Sequence, residues 1–247
     1  MFNNLPQVTK NILILNIVFF LATFILETQG IDLISSFGAH YVNSVLFKPF
    51  QIVTHFFMHG GILHIFFNMW MFVMLGAYLE HIWGPKRYFI FYLASAMGAF
   101  ALYNAIGVYQ ITELKHQLAL HYSIQEIDNI INSGSVDQIN ALIQQHYSVA
   151  LEKYIALSYT PMVGASGAIS GLMAAFAILF PNTEFRLYFA IPVKAKYLVT
   201  AYFLFDLYMA WQNEAGDNTA HLAHVGGAIV GAIIVLIWRK TDKKNFW

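Results

Sequence analysis

Ser166, His224, His64, Asn68 and Asp206 lie in strongly apolar stretches, where polar side chains are costly and tend to face a protein interior or a wetted cavity. Ser166 stands in Gly164-Ala165-Ser166-Gly167-Ala168. Alanine at 168 departs from the G-x-S-x-G elbow, and a lone serine among glycines in a membrane helix ordinarily marks close packing. Its position at the outer end of an apolar stretch points to chemistry instead. A helix N-terminus offers unbonded N–H groups and a positive dipole end, which is what a tetrahedral oxyanion needs beside an attacking hydroxyl. His224, in Ala223-His224-Val225-Gly226-Gly227, is the base that such a hydroxyl requires. Gly227 and Gly231 are spaced i, i+4, as are Gly167 and Gly171, a spacing that lets two membrane helices approach closely. If these stripes meet, Ser166 and His224 share one depth near the outer side.

His64 and Asn68 are also i, i+4 and share a helix face. They can either donate to an oxyanion or bridge neighbouring helices. His55 and His59 have the spacing of a zinc pair, but H-E-x-x-H is absent and no carboxylate or cysteine completes a shell, so no metal site is expected. No acid completes a triad. Glu214 and Asp217 fall in an external loop, and Asp206 lies on another stretch at a depth the sequence does not fix. Asp206 is read as structural, paired with a histidine or polar backbone or facing a water pocket. A dyad without an orienting carboxylate is expected to turn over slowly.

The elements that must position these residues follow from composition. The chain has 247 residues, is 58% hydrophobic and only 11% charged, against about 25% charged in soluble domains. A polytopic all-α membrane protein fits. Zero net charge without a basic patch excludes nucleic acid as partner. The absence of cysteine excludes a disulfide framework and a thiol nucleophile. Six stretches suit a hydrocarbon core that takes roughly 20 helical residues to cross: 9–27, 62–80, 88–107, 163–181, 197–212 and 221–239. The first is expected to be retained, since Glu27-Thr28-Gln29-Gly30 follows it and not a small-residue cleavage site. With both termini inside, Lys10, Lys86, Arg87, Arg186, Lys194, Lys196, Arg239, Lys240, Lys243 and Lys244 are cytoplasmic, and Lys48, Lys115 and Lys153 are outside, as the positive-inside rule requires.

Two outer segments are long. Residues 28–61 read as a loop lying in the outer interface. Residues 108–160 read as an external helical hairpin, because Ser123 with Glu126 and Ser135 with Gln138 fit capping boxes and Asn132-Ser133-Gly134 breaks between them.

Three of these patterns together resemble the rhomboid proteases. His59, His64 and Asn68 match an H-x-x-x-x-H-x-x-x-N signature, Gly164 to Gly167 looks like G-x-S-G, and Ala223-His224 with Gly227 and Gly231 is similar to A-H-x-x-G-x-x-x-G. The resemblance covers roughly residues 10–240 apart from the insert. It implies a rhomboid-like six-helix bundle of the basic bacterial form, in the inner membrane, without a seventh span or soluble domain. The implied activity is cofactor-free proteolysis by a Ser166–His224 dyad open to the outer side, with His64, Asn68 and the Ser166 N–H as oxyanion hole. Substrates would be single-span membrane proteins that unwind near small or helix-breaking residues. Two departures stand out. Phe50 and Gln51 replace a Trp-Arg pair that anchors the outer loop, and Ser170 replaces an aromatic that supports the histidine. The alternative is a catalytically inactive rhomboid-like protein that binds membrane clients. A transporter would need internal repeats or several charged spans.

Overall fold

Backbone polar groups with no water to bond must be satisfied within the segment, and helices do this. The computed structural model describes residues 5–187, 191–212 and 219–242; Glu214, Asp217, Lys243 and Lys244 lie outside them. The chain forms α1 (Gln7–Glu27), short α2 (Leu33–Phe37) and α3 (Gln51–Thr54), a 3-10 turn at His55–Phe57, and the long α4 (Ile62–Ala119). Three helices follow, α5 (Ile124–Ser133), α6 (Val136–His146) and α7 (Val149–Tyr159), and then α8 (Ser166–Leu179). Strands β1 (Glu184–Leu187) and β2 (Ile191–Lys194) precede α9 (Ala195–Gln212) and α10 (His221–Thr241). Helices α1, α4 and α10 are long and apolar enough to cross a membrane, and α8 is a shorter apolar helix.

Helix α4 carries both the 62–80 and the 88–107 stretches. Gly84, at φ 77° and ψ 163°, breaks it, and Pro85 opens the second arm. Glycine adopts positive φ without steric cost, and proline suits a helix start. The arms fold back on each other. Phe72 meets Tyr92 at 5.4 Å between ring centroids, Trp83 meets Phe91 at 4.9 Å, and the hydroxyl end of Tyr88 fills the space beside Gly76.

Helices α4, α8 and α10 pack together at the centre, and the two glycine stripes meet there. A Cβ on Gly227 would lie 1.9 Å from the Gly167 carbonyl oxygen, and one on Gly231 would lie 2.7 Å from the Gly171 Cα. The second arm of α4 joins on the other side, where a Cβ on Gly226 would lie 2.5 Å from the Gly98 carbonyl oxygen. Helix α1 is held from below by Glu80, which is buried and accepts from the N–H groups of Val8 (2.9 Å) and Thr9 (2.7 Å) and from the Thr9 hydroxyl (2.7 Å). The first-turn N–H groups of a helix lack intrahelical partners, so a carboxylate from α4 caps α1. Helix α9 packs on α10 and α8 and buries only Ala195 and Asp206.

Three details differ from the sequence expectations. Residues 108–160, expected as a helical hairpin, hold three helices after the end of α4. Ser123 and Ser135 cap α5 and α6 as expected, but Ser148 caps a further helix, α7, by accepting from the Leu151 N–H. That start lacks a Glu or Gln at the fourth position and so escapes the capping-box pattern. The insert has its own core of Ile111, Leu118, Ile131, Leu151 and Tyr154. Asp128 is fastened inside it, accepting from Lys115 Nζ (2.9 Å) and from the Tyr154 hydroxyl. Second, the all-α expectation misses an antiparallel hairpin in which Glu184 pairs with Lys194 and Phe185 with Val193; two four-residue strands are too short for alternation to register. Third, Gln51 anchors the 28–61 segment. It is buried and accepts from the Lys48 N–H at 3.0 Å, while its amide donates to the carbonyls of Ser36 and Leu46 at 3.2 Å each.

Candidate active site

Ser166 is the first residue of α8, and the N-cap, Ala165, provides no side-chain cap. The first-turn N–H groups around the serine have no intrahelical partner. Gly164 sits at φ +112°, a region open mainly to glycine, and its N–H donates to the His55 carbonyl at 2.9 Å. A Cβ there would also come within 3.0 Å of His64 Nε2. Glycine at 164 thus turns the chain into α8 and leaves room for the His64 ring above the serine.

His224, on the first turn of α10, is buried, and its Nε2 lies 2.8 Å from Ser166 Oγ. The contacts of Gly227 with Gly167 and of Gly231 with Gly171, close beyond these two residues on their helices, set this meeting. On its other side, His224 Nδ1 lies 3.1 Å from Asp206 Oδ1 and 3.1 Å from the Tyr202 hydroxyl. His221 Nδ1 approaches the same Oδ1 at 2.5 Å. Asp206 is 2% exposed. The histidine support missing at Ser170 comes instead from α9, whose Tyr202 ring lies 6.1 Å from the His224 ring at 30°.

His64 and Asn68 are brought to the same place, though not in equal roles. The Gly60 N–H donates to His64 Nδ1 at 3.3 Å. An accepting Nδ1 leaves the proton of a neutral imidazole on Nε2, the nitrogen facing Gly164. Asn68 Nδ2 donates to the His64 backbone carbonyl at 2.8 Å, so its amide braces the turn that carries His64. His59 packs edge-on against His64, with centroids 5.0 Å apart. Burial, with the neighbouring His64 second, pulls the His59 pKa down to about 3. Burial likewise lowers His55 to about 4, and its Nδ1 is 2.8 Å from the Gln51 carbonyl. Both are neutral packing residues at physiological pH.

Among the described residues, the cluster with metal-type donors is Asp206, His221 and His224, not His55 with His59. Its spacing is that of hydrogen bonds. Donors about 2.0–2.1 Å from a tetrahedral zinc lie roughly 3.3 Å apart, whereas His221 and Asp206 are at 2.5 Å. Sequence reasoning missed how Asp206 and Tyr202 converge on His224. The signal was present in their i, i+4 spacing on α9, opposite His221 and His224 at i, i+3 on α10.

A cavity of about 250 Å³ opens between α8, α9 and α10. Met173, Ala177, Ile178, Val199 and Phe203 wall it, and Asp206 and His224 also line it.

Comparison with known proteins agrees with the motif pattern. The model of the rhomboid domain family matches residues 47–113 and 129–241, leaving out part of the insert. The chain is 27% identical over 195 residues to the mitochondrial rhomboid-like protein 12 of Arabidopsis thaliana, covering 79% of this chain and 47% of that protein. It is 35% identical over 101 residues to an uncharacterised mitochondrial rhomboid protein of Schizosaccharomyces pombe, covering 36% of this chain and 26% of that protein. The chain thus spans about half or less of the length of the curated relatives it matches. Both are mitochondrial by name, which runs against the bacterial form implied by the sequence resemblance.

Proposed function

The chain belongs to the rhomboid family, and from that premise we propose that it is an intramembrane serine endopeptidase acting on single-span membrane proteins. The observation that carries the reading is the 2.8 Å contact of Ser166 Oγ with His224 Nε2 at the uncapped N-terminus of α8. In the proposed reaction, Oγ–H donates to Nε2, and Oγ attacks the scissile carbonyl as the proton transfers. The oxyanion is received by the Ser166 N–H and by His64 Nε2–H, with Asn68 steadying His64. His224 then protonates the departing amine, and a water activated by the same nitrogen releases the acyl group. No cofactor takes part.

The depth of the site suits a membrane substrate. Helix α8 has 14 residues, about 21 Å at 1.5 Å per residue, short of a hydrocarbon core about 30 Å thick. With its C-terminus at the inner boundary, Ser166 lies below the outer one. Six crossings with both termini inside follow when the two arms of α4, together with α1, α8, α9 and α10, are each assigned one. Water reaches the dyad from the outer side, and the apolar cavity beside His224 suits an apolar side chain of a membrane segment.

The test is cleavage of a single-span reporter in liposomes by wild type and by Ser166→Ala. Cleavage by wild type alone is expected. Equal cleavage by both would move the nucleophile elsewhere, and the client-binding alternative predicts capture of the reporter without cleavage.

A further inference from the structure

We infer that Asp206 is a positioning residue that converts the dyad into a Ser166–His224–Asp206 triad by holding the His224 proton on Nδ1. The inference rests on the protease reading above. A general base must offer Nε2 as an acceptor to the serine hydroxyl, so its proton has to reside on Nδ1. An ionised carboxylate only accepts, and Asp206 Oδ1 stands 3.1 Å from Nδ1 while Ser166 Oγ stands 2.8 Å from Nε2. The order along the chain of hydrogen bonds is therefore Ser166 Oγ–H to Nε2, then Nδ1–H to Oδ1.

Two further observations separate this from helix packing alone. First, Asp206 is 2% exposed on a helix that otherwise buries only Ala195. A buried carboxylate is costly without donors, and here the donors are two imidazoles converging on one oxygen, with His221 at 2.5 Å. His221 secures the acceptor that His224 uses. Second, Tyr202 lies one turn before Asp206 and places its hydroxyl 3.1 Å from the same Nδ1. Its ring restricts the tilt of His224, so orientation and tautomer are both fixed from α9.

The decisive variant is Asp206→Asn, which keeps shape and hydrogen-bonding capacity. A packing role survives it. A positioning role does not, because the amide NH2 donates to Nδ1 and moves the His224 proton to Nε2. Wild type and Asp206→Asn are compared in proteoliposomes for kcat and KM on the reporter. In parallel, histidine 15N NMR of the detergent-solubilised protein, assigned with His224→Gln, reads the tautomer. We expect kcat to fall about 10²- to 10⁴-fold with KM within about threefold, as when the acid of a serine triad is replaced by its amide, and the His224 proton to shift from Nδ1 to Nε2. Should Asp206→Asn lower the unfolding midpoint, Asp206→Glu decides: recovery of about tenfold in kcat over Asn supports the triad, and equal loss overturns it. A kcat in Asp206→Asn within about threefold of wild type overturns it, as does an Nε2–H tautomer in wild type. A wild type no more active than Ser166→Ala overturns the protease reading and the triad with it. An active wild type with an indifferent Asp206 overturns the triad alone.

Discussion

The Gly60 amide decides where His64 keeps its proton, and through that, which nitrogen can meet an oxyanion. His64→Ala removes the donor itself, so kcat is expected to fall by about 2–4 kcal/mol of transition-state energy with KM little changed. Asn68→Ala acts through the turn beneath it and should cost less in the same direction. Steady-state cleavage of the reporter checks both, and an unchanged kcat in His64→Ala would return that histidine to packing. At this scale the sequence was informative wherever a polar side chain stood in an apolar stretch, which marks Ser166, His224, His64 and Asn68 individually. It allowed Asp206 a histidine partner without saying which one, because that depends on the rotational phase of α9 against α10.

Among the elements, the crossing of α8 and α10 is the most sensitive. Gly227→Ala puts a methyl 1.9 Å from the Gly167 carbonyl oxygen, so the helices must part. Overpacking of this kind costs about 1–3 kcal/mol. The expected outcome is a lower unfolding midpoint and strongly reduced cleavage with Ser166 and His224 both intact; wild-type behaviour in both measurements would mean that the contact relaxes freely. The glycine spacing made this contact legible, since i, i+4 repeats on two stretches suggest a shared interface. The third partner, Gly98 against Gly226, is a single glycine on the second arm of α4 and carries no such repeat. The anchoring role of Gln51 was equally hidden, because a glutamine side chain says nothing of which carbonyls will fold within reach. Capping chemistry read the starts of α5 and α6 correctly and passed over α7, whose core partners come from distant residues.

For the whole molecule, acid is the informative perturbant. His55 and His59 are neutral when folded, with pKa values lowered to about 4 and about 3 from 6.5. Between pH 6.5 and about 4 the unfolded chain binds protons at these two positions that the folded chain refuses, so the stability they contribute is fully present above that window and falls as pH is lowered through it. The slope is about 1.4 kcal/mol per pH unit for each histidine. Unfolding midpoints in detergent across this range should decline toward acid in wild type and decline less steeply in His59→Phe. The helical membrane class was the most legible level, because long apolar stretches leave few other folds open. The break at Gly84 falls in the gap between the 62–80 and 88–107 stretches, and the two arms of α4 fold back on each other there.

The glycine crossing also bears on how such a protein can change over generations. Ser166 and His224 reside on different helices, and their depths are locked together by backbones in direct contact, with no side chain between them to absorb a change. Most substitutions at Gly167 or Gly227 would disturb the reaction as surely as losing the serine. A saturation scan should therefore tolerate almost nothing at these two positions while accepting broad replacement on the exposed face of α9. Neither Ser166 nor His224 can shift its depth alone, because each is carried by a helix whose backbone touches the other.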